Sequence, residues 1–268
     1  MRIYALADVH GHLSELNNAL TLIDADEGDQ IVFGGDYVDR GPDSLGVLAT
    51  VREYAMTHGA IALMGNHEEG FLEWIDSDED GAEPWPGEDR GFLTLRSFLT
   101  DTTIDQWIGQ CHSNDEDPET SAWFNQTAKA SIRAQHGGLI NWMRNLRPYY
   151  ETNRQIFVHA GVDESAGDAW KAATEEHVWA SKFPPATGQF IKDVIAGHTE
   201  TSSPFLANDP NYRGVFWDGA SHYYIDGGVE ATGQIPVLIY DTNTKLYTTF
   251  KETRPGHWIE QPVTTDTR

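Results

Sequence analysis

Cysteine is almost missing from the chain. Cys111 is the one thiol in 268 residues, which excludes an internal disulfide framework and any metal site built from several thiolates. Positive charge is scarce as well. Lys and Arg together number 18 against 42 Asp and Glu, a net charge of -24. A broad basic face able to displace counterions from nucleic acid or settle on an anionic membrane is therefore not expected. Long apolar runs are absent, since none approaches the roughly 18 residues of a membrane helix. The opening stretch Ile3 to Ala7 runs into Asp8, short of the about 7–15 apolar residues of a signal-peptide core. A cytoplasmic location, without nucleic-acid or membrane partners, is the expectation.

What is present is enough to fold. Hydrophobic residues make up 39% and aromatics 11%, too rich for a disordered chain, and the length allows a large core. The apolar runs are short, and each stops at a polar cluster. Ile3 to Ala7 precedes Asp8-Val9-His10-Gly11, Ile31 to Phe33 precedes Gly34-Gly35-Asp36, and Ala60 to Met64 precedes Gly65-Asn66-His67-Glu68. Further on, Ile156 to Val158 precedes His159-Ala160-Gly161, and Val194 to Ala196 precedes Gly197-His198-Thr199. Continuous β-branched runs bounded by glycine read as buried strands. Between the first three lie helical patterns, with Leu13, Leu16, Leu20 and Ile23 on one face and Leu45, Leu48, Val51 and Ala55 on another. Strand–helix–strand–helix–strand order implies parallel βαβ units.

From Asp76 to Tyr150 the pattern changes. Residues 76–89 hold seven acids and no base, an exposed loop, and the remainder reads as helices of an insertion whose tryptophans (Trp85, Trp107, Trp123, Trp142) mostly pack inward. After Gly214, Val215 to Trp217, Tyr223 to Ile225, Pro236 to Tyr240 and Leu246 to Phe250 read as antiparallel strands closing a second sheet. The residues after about 255 read as a tail.

Every candidate ligand stands just past a predicted strand's C-terminal end, the edge where sites of open α/β sheets assemble. Asp8, His10, Asp36, Asn66, His159 and His198 offer carboxylate, amide and imidazole donors without thiolate. That set suits two divalent ions such as manganese, iron or zinc, with one carboxylate bridging.

These motifs, together with Asp36-Tyr37-Val38-Asp39-Arg40-Gly41 and Ile225-Asp226-Gly227-Gly228, resemble those of the phosphoprotein phosphatase family of calcineurin-like metallophosphoesterases, in its bacterial and bacteriophage lambda branch. The resemblance spans residues 1–241. It implies a four-layer α/β/β/α metallophosphoesterase sandwich with a helical insertion, formed by residues 1–268 as one domain. It also implies two divalent ions, Mn2+ first among them, with Asp8, His10 and Asp36 on one and Asp36, Asn66, His159 and His198 on the other. A hydroxide bridging the ions would attack phosphorus. His67, oriented by Asp39, would protonate the leaving oxygen, while Arg40 and Asn66 hold the phosphate. The activity implied is phosphomonoester hydrolysis on a phosphoprotein or small phosphoester, with dinucleoside polyphosphate hydrolysis or a metal-free scaffold as alternatives. Gly-Asn-His-Glu and Gly-His-Thr favour the phosphatase branch.

One feature departs from the family. A second phosphate-binding arginine is expected between the histidines matching His159 and His198, yet residues 159–198 contain none. Lys182, three residues past Trp179, is the expected substitute. The histidines outside these motifs, and Cys111, read as structural.

Overall fold

In the computed structural model, residues 1–77, 89–99, 102–106 and 118–265 are described. Two sheets carry the molecule. The first has the order β11-β10-β9-β1-β2-β3, the second β4-β5-β6-β8-β7. In the first, β1 (Arg2–Leu6), β2 (Gln30–Phe33) and β3 (Ile61–Ala62) are parallel. Helices α1 (Leu13–Thr21) and α2 (Ser44–Thr57) make their crossovers, as the apolar spacing requires. In the second sheet β5 (Gln155–Val158), β6 (Asp193–Glu200) and β8 (His222–Asp226) are parallel. The edge strands β4 (Tyr149–Glu151) and β7 (Phe216–Trp217) are antiparallel to their neighbours.

Alternation along the strands explains why the runs are continuously apolar. Ile3, Ala5 and Ala7 face the layer between the sheets, where they meet Phe157, Ile195, Tyr223 and Ile225. Tyr4 and Leu6 face the other way, onto Leu16, Leu48 and Val51. The outer face of the second sheet packs Val158 and Val194 on Trp170 and Trp179. A strand buried on both faces has no polar register to alternate with. The result is the expected sandwich of two sheets flanked by helices.

The C-terminal part differs from the sequence expectation. β7 and β8 form the expected antiparallel hairpin, but β8 also lies parallel to β6, inside the second sheet. β9 (Leu238–Asp241) joins the first sheet beside β1, and β10 (Leu246–Arg254) lies against β9. The expected tail includes β11 (His257–Pro262), which pairs with β10. Its burial alternates weakly, as an edge strand exposed on one face does, so its sequence carries little apolar signal.

In the insertion, α3 (Asn66–Asp76), α4 (Asp89–Phe98) and α5 (Pro118–Met143, kinked at His136) cover the first sheet. Trp123 is 41% exposed, against the inward expectation, while Trp142 packs against the core. Most of the acidic loop, with Trp85, Trp107 and Cys111, lies outside the described residues. Among the described residues no helix is long and apolar enough to cross a membrane.

Candidate metal centre

The parallel ladders do not stop where the strands end. Beyond β1 and β2, Asp8 N donates to Gly35 O (3.0 Å), His10 N to Asp36 O (2.9 Å) and Gly11 N to Tyr37 O (2.8 Å). Just past β5, His159 O accepts from Gly197 N (2.8 Å), which with His198 lies within the last half of β6. The polar motifs are thus held side by side in the register set by the strands. Five of them converge on one rim.

Backbone strain is concentrated there. Eight non-glycine residues among those described have positive φ, and six are Asp8, His10, Asp36, Asp39, Arg40 and His198. The left-handed region costs an L-residue roughly 1–2 kcal/mol, and it persists where the surroundings impose it, commonly at functional sites. Here Gly35 shows the crowding: at φ 97 its missing Cβ would lie 2.8 Å from Gly65 N and 2.9 Å from His159 Nδ1.

Two groups of donor atoms gather, His10 with Asp36 and His67, and Asp36 with His159 and His198. Asp36 belongs to both. Its Oδ2 lies 3.6 Å from His10 Nε2 and its Oδ1 3.4 Å from His159 Nε2. Asn66 Oδ1 sits 3.1 Å from His159 Nε2 and 3.0 Å from His198 Nδ1. Both oxygens of Asp8 accept from His198 N, at 3.0 and 3.1 Å. The far nitrogens of two rings are occupied by carbonyls: His10 Nδ1 contacts Val38 O and His159 Nδ1 contacts Gly34 O, each at 2.9 Å. A proton fixed there leaves each Nε2 as the donor atom toward the cluster. His10 Nε2 is buried without a hydrogen-bond partner.

The charges are those of a site that expects a cation. Burial, the neighbouring Asp226 and Asp36 push the Asp8 carboxyl well above the usual range. Burial drives His10 down to about 3 and His198 to about 4. His159 is also opposed by burial, yet Asp36 and Asp8 hold it up at about 10, and against the same burial the surrounding imidazoles keep Asp36 low. A cation between these groups would replace the protons that the free side chains must share.

His67 stands beside this cluster with Nδ1 2.7 Å from Asp39 Oδ2. Burial lowers its pKa, but the Asp39 hydrogen bond and Asp36 outweigh burial and raise it above the ordinary value. Arg40 is partly exposed, and its charge acts on His10, His67, His198 and Asp226.

Lys182 is not where the sequence placed it. Its Nζ donates to Val162 O (2.7 Å) and Glu164 Oε1 (3.1 Å), so its charge is spent on a carboxylate rather than offered to a phosphate. The reason is Glu164, on the turn after His159-Ala160-Gly161, which also faces His222 Nε2 at 3.2 Å.

Sequence reasoning gave Glu68 no role beyond its motif, yet it holds the site loop. Its buried carboxylate accepts from Asp36 N (2.8 Å), Tyr37 N (2.7 Å), Val38 N (3.1 Å) and Gly65 N (3.1 Å). A Glu at the third position of a helix, reaching back to the residue before it, is a capping pattern visible in Gly65-Asn66-His67-Glu68. Burial and Asp36 push this carboxyl up to about 7.

The profile of the calcineurin-like phosphoesterase family matches residues 1–218. The symmetrical bis(5'-nucleosyl)-tetraphosphatase of Janthinobacterium sp. (strain Marseille) is 42% identical over 214 residues, 80% of this chain and 63% of that protein. Serine/threonine-protein phosphatase 1 of Salmonella typhimurium (strain LT2) is 43% identical over 72 residues, 26% of this chain and 32% of that protein. This chain therefore matches less than two thirds of the length of either relative. Among solved structures, a cold-active protein-tyrosine phosphatase of a psychrophilic Shewanella sp. aligns over 97% of this chain and 80% of its own. The TM-score is 0.54 at 16% identity, a likeness of fold alone.

Proposed function

The chain belongs to the calcineurin-like phosphoesterase family, and from that premise we propose that it hydrolyses phosphoric esters with two divalent ions. Asp8, His10 and Asp36 would hold one ion; Asp36, Asn66, His159 and His198 would hold the other. The observation that carries this reading is Asp36, whose two oxygens face His10 and His159 separately. The buried His10 Nε2, which has no hydrogen-bond partner and faces Asp36 Oδ2 at 3.6 Å, fits the role of a cation ligand. Hard oxygen and borderline nitrogen donors suit Mn2+, with Fe or Zn2+ as alternatives. Ions bound there would supply charge neutralisation at the phosphoryl group and lower the pKa of water.

The chain's own groups do the rest. Asp39 accepts from His67 Nδ1–H and favours the imidazolium, whose Nε2–H then faces the cluster, with Nε2 3.9 Å from Asp36 Oδ2. His67 delivers that proton to the leaving oxygen, which as an alkoxide would otherwise leave slowly. Arg40 offers a planar fork to two phosphate oxygens, and the Asn66 amide holds a third. With Lys182 turned to Glu164, Arg40 carries the guanidinium clamp without help from that lysine.

We assign phosphomonoesters, phosphoproteins first, as the substrate class, on the Gly65-Asn66-His67-Glu68 and Gly197-His198-Thr199 motifs. A dinucleoside polyphosphate is the second reading, supported by the Janthinobacterium relative and the 80% of this chain that it matches. Turnover of p-nitrophenyl phosphate, phosphoserine and phosphotyrosine peptides and diadenosine tetraphosphate with Mn2+ tests both. A kcat/KM for a phosphopeptide at least about tenfold above that for the dinucleotide is expected. The reverse order establishes the second reading, and inactivity on every substrate with metal bound refutes both.

A further inference from the structure

The insertion reaches the dyad itself. Thr94, in the middle of α4 and fully buried, donates from Oγ1 to Asp39 Oδ1 at 2.7 Å. Asp39 N donates back to Thr94 Oγ1 (2.9 Å) and to Ser44 Oγ (3.1 Å), and the two hydroxyls lie 3.0 Å apart. The protons can be assigned. A hydroxyl has one proton to give, and that of Thr94 goes to the carboxylate, so the Ser44 hydroxyl donates to Thr94. One turn on, Ser97 Oγ accepts from Leu45 N at 3.1 Å. Residues three apart share a helix face, so a single face of α4 is fastened to residues 39–45.

The consequence lies in how Asp39 is held. Its Oδ2 is engaged by His67 Nδ1 and its Oδ1 by Thr94, at 2.7 Å each. A carboxylate bound at one oxygen can swivel about its χ2 angle; bound at both, it presents a fixed lone pair to the imidazole. The backbone beneath it sits at φ 71, and the two hydroxyls tie down the strained amide.

We propose that Thr94 is a positioning residue for the His67–Asp39 pair, so that the insertion contributes to the chemical step. The proposal rests on the reading of His67 as the acid. A proton donor misplaced by about 1 Å can lose about a hundredfold in rate, and the loss falls on substrates whose leaving group needs the proton.

The test uses the full-length, Mn2+-loaded protein with phenyl phosphate and p-nitrophenyl phosphate, and compares Thr94→Val, Thr94→Ser and His67→Asn. Thr94→Val is expected to lower kcat on phenyl phosphate about 10- to 100-fold and on p-nitrophenyl phosphate less than about threefold, with KM and metal content unchanged. Thr94→Ser, which keeps the hydroxyl, restores activity to within about threefold. In the His67→Asn background Thr94→Val costs nothing further, because the group it positions is gone. In the metal-free protein the His67 Nδ1–H proton, deshielded by its short hydrogen bond, broadens in Thr94→Val and is sharp in Thr94→Ser. Should Thr94→Val fail to fold, Thr94→Ala removes the same hydroxyl and leaves room for water.

Equal losses on both substrates, or full additivity with His67→Asn, overturn the role of Thr94. If His67→Asn itself loses equally on both substrates, the acid reading falls, and the proposal falls with it. If His67→Asn shows the leaving-group dependence and Thr94→Val does not, only the proposal falls.

Discussion

Replacing Gly197 by alanine should displace Asp8, a proposed metal ligand, without changing any of the proposed ligands themselves. Gly197 lies in β6, and its φ is open to any L-residue, so collision is the main cost. A Cβ there would overlap Asp8 Oδ2 outright and stand 3.1 Å from Asp8 Cγ and 3.0 Å from Ala7 Cβ. The strand cannot withdraw, because Gly197 N is bound to His159 O at 2.8 Å. Asp8 must therefore move, by about 1 Å to reach the ordinary carbon contact of about 3.5–4.0 Å. That movement breaks both contacts to His198 N. With the Asp8 carboxyl held well above its usual pKa in the metal-free protein, an ordinary hydrogen bond contributes about 0.5–1.5 kcal/mol and overpacking costs about 1–3 kcal/mol, a sum of about 2–4 kcal/mol. At about 2–4 °C per kcal/mol for a domain of this size, the metal-free variant should melt about 5–12 °C below the wild type. Elemental analysis after gel filtration should show that the ion held by Asp8 and His10 is lost, while the ion at Asn66, His159 and His198 is retained. Gly138→Ala serves as the control: a Cβ there meets nothing within 4 Å in α5, and the change should stabilise by about 0.5–1 kcal/mol. A Gly197→Ala protein that binds both ions like the wild type and melts within about 2 °C of it would refute the reasoning.

Other outcomes follow from the same geometry. Asp36→Asn should abolish both metal equivalents and turnover together, since its two oxygens serve both groups; elemental analysis showing full occupancy would exclude a shared ligand. Lys182→Ala should leave kcat/KM within about threefold and cost about 1 kcal/mol in thermal unfolding, the value of a partly exposed ion pair; a tenfold loss of kcat/KM would return Lys182 to the phosphate. His222, buried between Asp218 (3.0 Å) and Glu164 (3.2 Å, less well aligned), is opposed by burial but raised above its ordinary pKa by those carboxylates. Its contribution to stability is therefore complete below about pH 6.5 and is lost as pH rises through the folded-state value. The melting difference between wild type and His222→Gln should shrink over that rise, and a constant difference would show that the charge on His222 adds nothing.

The sequence alone determined the strands that carry the site and the residues that crown them. Both properties are local: a strand buried on two faces must be apolar throughout, and a ligand at its end must follow it directly in the chain. That is why Asp8, His10, Asp36, Asn66, His159 and His198 could be picked out, and why they do converge. Tertiary structure alone decided whatever depends on partners remote in sequence. Whether β9 joined one sheet or the other, and whether residues 257–262 hung free or closed an edge, depended on competing pairings that local pattern does not rank. Lys182 had the right charge near the right place, but Glu164, eighteen positions away, claimed it first. The left-handed backbone of six site residues is imposed by neighbouring loops; Asp and His tolerate that region better than most residues, but it still costs them energy. Thr94, an ordinary threonine in an amphipathic helix, differs from its neighbours only because α4 is laid against Asp39, fifty-five residues earlier. Apolar periodicity reports which face of a segment is buried; it does not say which buried hydroxyl will meet a carboxylate.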